Sequence, residues 1–180
     1  MTKAAVFIDG GYLNAILKNH FGSPKVDYVK LSDKISQPDQ RFRTYYYTCM
    51  PYQSKPPTPL ESTLYANASK FVTMLKFQPR FEVKLGRLKK TVGPTGTPDF
   101  EQKGVDVMMS VDMVKLAATN QVDRAVLITG DSDFVYAVKV AKESINVTLH
   151  YLPGTAHYEL LQVCDDRFEI KPDFFNDVLL

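Results

Sequence analysis

Asp9 and Asp131 are the two residues whose placement points most directly to chemistry. Asp9 follows the apolar run Val6-Phe7-Ile8, and Asp131 follows Leu127-Ile128-Thr129-Gly130. Each therefore closes a short apolar segment that reads as a buried strand. Asp133 comes two residues later, in the first turn of an expected helix, and Asp106 opens a long helical segment after a Gly- and Pro-rich stretch. Carboxylates gathered at one end of a parallel sheet repel one another, and a divalent cation with a taste for hard oxygen ligands makes the gathering tolerable. Such a cation lowers the pKa of a bound water and stabilises charge that develops on a phosphate. Each Asp alone has a plainer reading: Asp131 and Asp133 suit helix capping, and Asp9 before Gly10-Gly11 suits a turn. The set together carries the metal–phosphate reading.

Neighbouring residues sort by geometry. Asp106 and Asp112 are six apart, about 120° around a helix, so they do not share a face. Asp106 shares one with Lys103, Ser110 and Met113 and is the better ligand, while Asp112 supports the ligands or is a buried partner for a cation. Asn14, five residues after Asp9, either orients a phosphate or water or is a solvated helix residue. From Lys70 to Lys103, eight cations meet three carboxylates, a local excess of five on a chain whose net charge is only +2. A basic strip there (Lys84, Arg87, Lys89, Lys90) suits phosphate contact, or is simply a solvated face. Arg41 and Arg43, with Tyr45-Tyr46-Tyr47, either hold phosphates and stack bases or form half-buried core. His20, His150 and His157 have no metal-ligand spacing.

The elements that must position these groups alternate. Strands are expected at Lys3–Ile8, Arg41–Cys49, Phe81–Leu88, Arg124–Thr129, Asn146–Tyr151 and Arg167–Lys171. Helices are expected at Tyr12–His20, Glu61–Phe77, Gly104–Thr119, from Asp133 to Lys142, and around Ala156–Val163. Pro51–Pro59 reads as a proline loop and Thr91–Pro98 as a flexible one. Alternating strands and helices imply a mostly parallel sheet with helices on both faces. Ligands of such sheets sit at the carboxyl ends of the strands.

Composition excludes other classes. With 180 residues, 44% hydrophobic and 23% charged, the chain suits one domain over residues 1–180 with a real core. The first apolar run is five residues long, too short for a membrane span or a secretion signal. Two cysteines make neither a disulfide framework nor a zinc site, so a cytoplasmic protein with free thiols is expected. There is no G-x-G-x-x-G, no P-loop and no G-x-S-x-G elbow. Gly11 occupies the second position of an Asp-x-Asp phosphatase motif.

Three segments, FIDGGYLN (7–14), KGVDVMMSVDMVKLA (103–117) and LITGDSDF (127–134), together resemble the NYN-domain family of PIN-like proteins, in its bacterial LabA-like branch. The segments between Gly22 and Gln102 match that pattern poorly. The resemblance implies a PIN-like three-layer α/β/α sandwich and metal-dependent cleavage of RNA with Mg²⁺ or Mn²⁺. It implies Asp9, Asp106 and Asp131 as metal ligands, with Asp133 completing the catalytic set. Asp112 and Ser132 would assist, and Asn14 and Lys103 would contact substrate or water. A homodimer and no membrane partner are expected. Two other readings stand beside this: a non-catalytic RNA-binding or regulatory module of the same fold, and a small-molecule phosphohydrolase.

Overall fold

A seven-stranded sheet in the order β4-β3-β2-β1-β5-β6-β7 organises the computed structural model, which describes residues 1–93 and 96–180. The strands are β1 (Lys3–Asp9), β2 (Gln40–Cys49), β3 (Phe81–Val92), β4 (Pro98–Lys103), β5 (Arg124–Ile128), β6 (Asn146–Tyr151) and β7 (Asp166–Glu169). The helices are α1 (Gly10–His20), α2 (Tyr28–Ser36), α3 (Pro59–Lys76), α4 (Val105–Ala118), α5 (Val135–Ala141) and α6 (Tyr158–Val163). All neighbouring strands run parallel except β3 and β4. This is a PIN-like three-layer α/β/α sandwich.

The central strand explains the layering. Ala4 through Ile8 are wholly buried, which a strand manages only when both faces are covered. Ala5 and Phe7 face one layer, with α4, α5 and α6; Ala4, Val6 and Ile8 face the other, with α1, α2, Leu75 of α3 and the C-terminal Phe175 and Val178. The three tyrosines of β2 split the same way. Tyr45 and Tyr47 stack on Phe7 at 5.3 and 6.5 Å between ring centroids, while Tyr46 points into the opposite layer. All three are buried, so of the two readings of these tyrosines the core one holds and base stacking does not.

Local signals account for most helix limits. Thr58 and Glu61 form a reciprocal capping box and Pro59 begins α3, so the end of the proline loop is itself the helix start. α2 has no counterpart among the expected elements. Asp27 caps it by accepting from the N–H groups of Val29 and Lys30, and Tyr28, Leu31 and Ile35 bury one face of only nine residues.

The loop expected at Thr91–Pro98 also needs correction, apart from residues 94–95, which lie outside the described residues. β3 continues to Val92 and pairs with β4, which the sequence reading does not foresee. The first half of β3 pairs with β2 and the second half only with β4, so the hairpin runs past the end of β2 as an arm. Gly86 marks the crossing: a Cβ there would stand 2.7 Å from Val105 and 2.8 Å from the Lys103 carbonyl. The arm's residues are mostly polar on both faces, so no two-residue period announces a strand.

Candidate functional site

β1 lies between β2 and β5, and the chain winds outward from it in both directions. Their carboxyl ends therefore flank the switch point of the sheet, where open α/β folds leave a crevice. Asp9 ends β1 and caps α1, accepting from the Tyr12 N–H at 3.0 Å. Asp131 follows β5 and caps the short 3-10 turn Ser132–Phe134, accepting from the Asp133 N–H at 3.0 Å. Asp106 lies in the first turn of α4, which begins where the β3–β4 arm ends. Asp106, Asp131 and Asp133 each bring a carboxylate oxygen to within 4.8 Å of the others. Both capping and convergence are therefore true of Asp131.

Asp9 stands beside this trio and is coupled to it by charge repulsion. Burial pushes its carboxyl pKa up, and the charge of Asp131 adds to the effect. Burial also raises Asp106, followed by the charges of Asp131, Asp9 and Asp133. Three neighbours acting on one carboxyl are a mark of like charges held together by the fold. The donor set is all hard oxygen, half-buried to exposed, and fits a hard divalent cation better than a soft-ligand metal.

The residues expected to assist have different fates. Ser132 sits between Asp131 and Asp133 in the turn. Lys103 ends β4 opposite Arg87, at the base of the arm leading into Asp106. Asp112 is not with the trio. It accepts from the Tyr47 hydroxyl at 2.9 Å and lies 3.7 Å from Lys84 Nζ, so it is a half-buried partner for a cation. Asn14 is exposed on α1 and lines a cavity against α3.

The expected phosphate-binding cations divide by end of the sheet. Arg41 is corrected outright. It is 7% exposed, and its guanidinium donates to Asp33 at 2.6 Å and to the carbonyls of Pro79 and Arg80. It stands at the amino end of β2, opposite the carboxylates, and fastens loops there. Arg43 follows at the same end, 3.4 Å from Glu82. Lys84 is 2.7 Å from Glu82, which raises its pKa. Arg87, Lys89 and Lys90 are exposed on the arm. Lys90 Nζ lies 5.2 Å from the Tyr52 ring centre, and Tyr52 meets Phe100 at 5.1 Å, so the proline loop braces the arm.

Three further residues at the site carry little or no signal in the sequence. Thr129 donates to Asp9 Oδ2 at 3.1 Å and accepts from the Asp131 N–H at 3.3 Å. A hydroxyl residue at the end of a buried strand, just before Gly130-Asp131, is its only sequence signal. Tyr12 accepts from the Leu152 N–H at 2.9 Å and contacts Thr155 Oγ1 at 2.7 Å, pinning the start of α1 to the loop after β6. Gly130 permits this, since a Cβ there would stand 2.5 Å from the Thr155 carbonyl and 2.7 Å from the Tyr12 ring. Gln102, from β4, reaches Gly11 beside Asp9 and has no local signal at all.

The NYN domain family model matches residues 3–171. A search among curated proteins finds no relative. Among solved structures the chain is similar to a protein of unknown function from Vibrio parahaemolyticus. The two are 20% identical over 99% of this chain and 96% of that one, with a TM-score of 0.58, a likeness of fold. A weaker match, to MurG of Acinetobacter baumannii, has 14% identity over 96% of this chain and 43% of that one; its TM-score of 0.44 is too low to bear on the fold. Among the described residues, no helix is long and apolar enough to cross a membrane.

Proposed function

The chain belongs to the NYN-domain family, and from that premise we propose that it is a metal-dependent ribonuclease acting on single-stranded RNA. The observation that carries this reading is the convergence of Asp106, Asp131 and Asp133 within 4.8 Å at the sheet's switch point. Placement in the LabA-like bacterial branch, on the three matching segments, belongs to the same proposal.

Asp106, Asp131 and Asp133 would hold Mg²⁺ or Mn²⁺, with Asp9 at their side. The bound cation would supply an acidified water and neutralise charge developing on the phosphate. Asp9, held by the Tyr12 N–H and the Thr129 hydroxyl, keeps a fixed carboxylate facing the site and accepts a proton from the attacking water. Its raised pKa brings it nearer the range useful for that transfer. Arg87, Lys89 and Lys90 on the arm attract the RNA backbone, and Lys103 continues that charge to the first turn of α4. Ser132 and the short turn keep Asp131 and Asp133 pointing to one place. The free edge of an unpaired strand suits a crevice at a sheet end better than a duplex does.

The test is cleavage of end-labelled single-stranded RNA with Mn²⁺, Mg²⁺ or EDTA, beside Asp131→Asn. Cleavage that needs the metal and dies with the substitution supports the reading. RNA retarded on a gel without cleavage in any condition overturns the catalytic part and leaves a binding module.

A further inference from the structure

We propose that a cavity between α1 and α3 receives one unpaired nucleobase of the RNA whose backbone the acidic site handles; this rests on the ribonuclease reading above. The cavity holds about 360 Å³ and is lined by Asn14, Tyr28, Thr48, Ala68 and Phe71 among others, none of them charged. That volume is at the small end of ligand pockets, where a single heterocycle fits. A lining without charge disfavours phosphate and suits a neutral, flat group.

The walls have the two surfaces a base needs. Tyr28 and Phe71 line the cavity and pack edge to face with each other and with Tyr46 behind them, ring centroids 5.4 to 5.7 Å apart. Of the three, Phe71 is the most exposed and offers a ring for stacking. Polar groups stand beside it. Tyr46 is fully buried, and its hydroxyl makes no well-formed hydrogen bond among the described residues. Asn14 and Tyr28 face that hydroxyl, and both line the cavity. The Asn14 amide at the cavity, which both donates and accepts, can read the edge of a base.

The position joins the cavity to the reaction. A Cβ on Gly10 would stand 2.7 Å from the Tyr46 ring, so Tyr46 packs beneath the residue that follows Asp9. The charge of Asp9 is felt at the Tyr46 hydroxyl. A base held here sets the register of the strand over the acidic trio, and it must leave its neighbours in the strand to enter.

The experiment measures RNA affinity in EDTA, where no cleavage is needed. Single-stranded octamers carrying one abasic position, scanned along the strand, are bound by the unaltered protein and by Ala68→Phe, which fills the cavity from α3. At one position the abasic change weakens binding to the unaltered protein about tenfold, the scale of one stacked base. The same change leaves binding to Ala68→Phe unaltered. Asn14→Ala, at an exposed helix position that tolerates Ala, shows the same loss of coupling should Ala68→Phe fail to fold. Equal abasic effects in all proteins at every position overturn the proposal, as does absence of RNA binding. Coupling without metal-dependent cleavage would sink the nuclease reading alone; cleavage without coupling would sink the pocket alone.

Discussion

The Thr129 hydroxyl donates to the Asp9 carboxylate at 3.1 Å while it accepts from the Asp131 backbone N–H at 3.3 Å. One buried hydroxyl thus ties the ends of β1 and β5, two strands whose carboxylates repel. Thr129→Val keeps the shape and removes both bonds. Leaving a part-buried N–H and a carboxylate oxygen short of a partner costs about 1–3 kcal/mol. The variant is expected to melt lower and to cleave RNA about 10- to 100-fold more slowly, whereas Thr129→Ser recovers most of both. Melting curves and single-turnover rates check this, and a fully active Thr129→Val would refute the tie.

Asp106 carries a charge that the fold disfavours, because burial and three neighbouring carboxylates all raise its pKa. The sign is that of an acid raised above its unfolded value: stability is present below the unfolded pKa and declines as the pH rises through the folded one. Asp106→Asn therefore melts higher than the unaltered protein in EDTA at neutral pH. Mn²⁺ raises the melting point of the unaltered protein by binding the folded state, and that rise shrinks in the variant. Thermal melts with and without Mn²⁺ measure both.

The arm's cations act through the RNA, and Arg41 acts through the fold. Replacing Lys89 and Lys90 with Ala is expected to lower the slope of log affinity against log salt by about 1.4, at about 0.7 per phosphate contact on a single strand. Stability stays near its original value. Arg41→Ala does the reverse: it strips the Pro79 and Arg80 carbonyls of a donor and lowers the melting point with little change in salt slope. Fluorescence anisotropy at several salt concentrations separates the two.

His150 makes the fold acid-sensitive. It is 8% exposed, and burial, then the charges of Arg124 and Lys34, lower its pKa from 6.5 to about 4. The folded state excludes a proton that the unfolded chain binds, so stability is full above pH 6.5 and falls toward pH 4. The loss amounts to about 3 kcal/mol at most, at 1.36 kcal/mol per unit. His150→Phe, beside Phe168 and Phe174, should flatten the urea midpoint between those two pH values. An unchanged profile would assign the acid sensitivity elsewhere.

What was legible in the chain was local. Buried apolar runs such as Val6-Phe7-Ile8 and Leu127-Ile128, the period of α4 and the turn residues around Gly130 lie within a few residues of one another. They suffice for a parallel α/β sheet and for carboxylates at its carboxyl ends. They also place Asp9, Asp106, Asp131 and Asp133 at element boundaries, where short-range patterns are readable. The tertiary structure alone decided what meets what. Thr129 reaches Asp9 across 120 positions, Gln102 reaches Gly11 from an arm with no apolar period, and Arg41 turns inward because Asp33 and two distant carbonyls await it. Asp112, a third of the way around its helix from Asp106, is claimed by Tyr47 and Lys84. Periodicity reports which face of an element is buried; it carries no record of which partner buries it, since that choice depends on strand order and on contacts made only when the whole sheet closes.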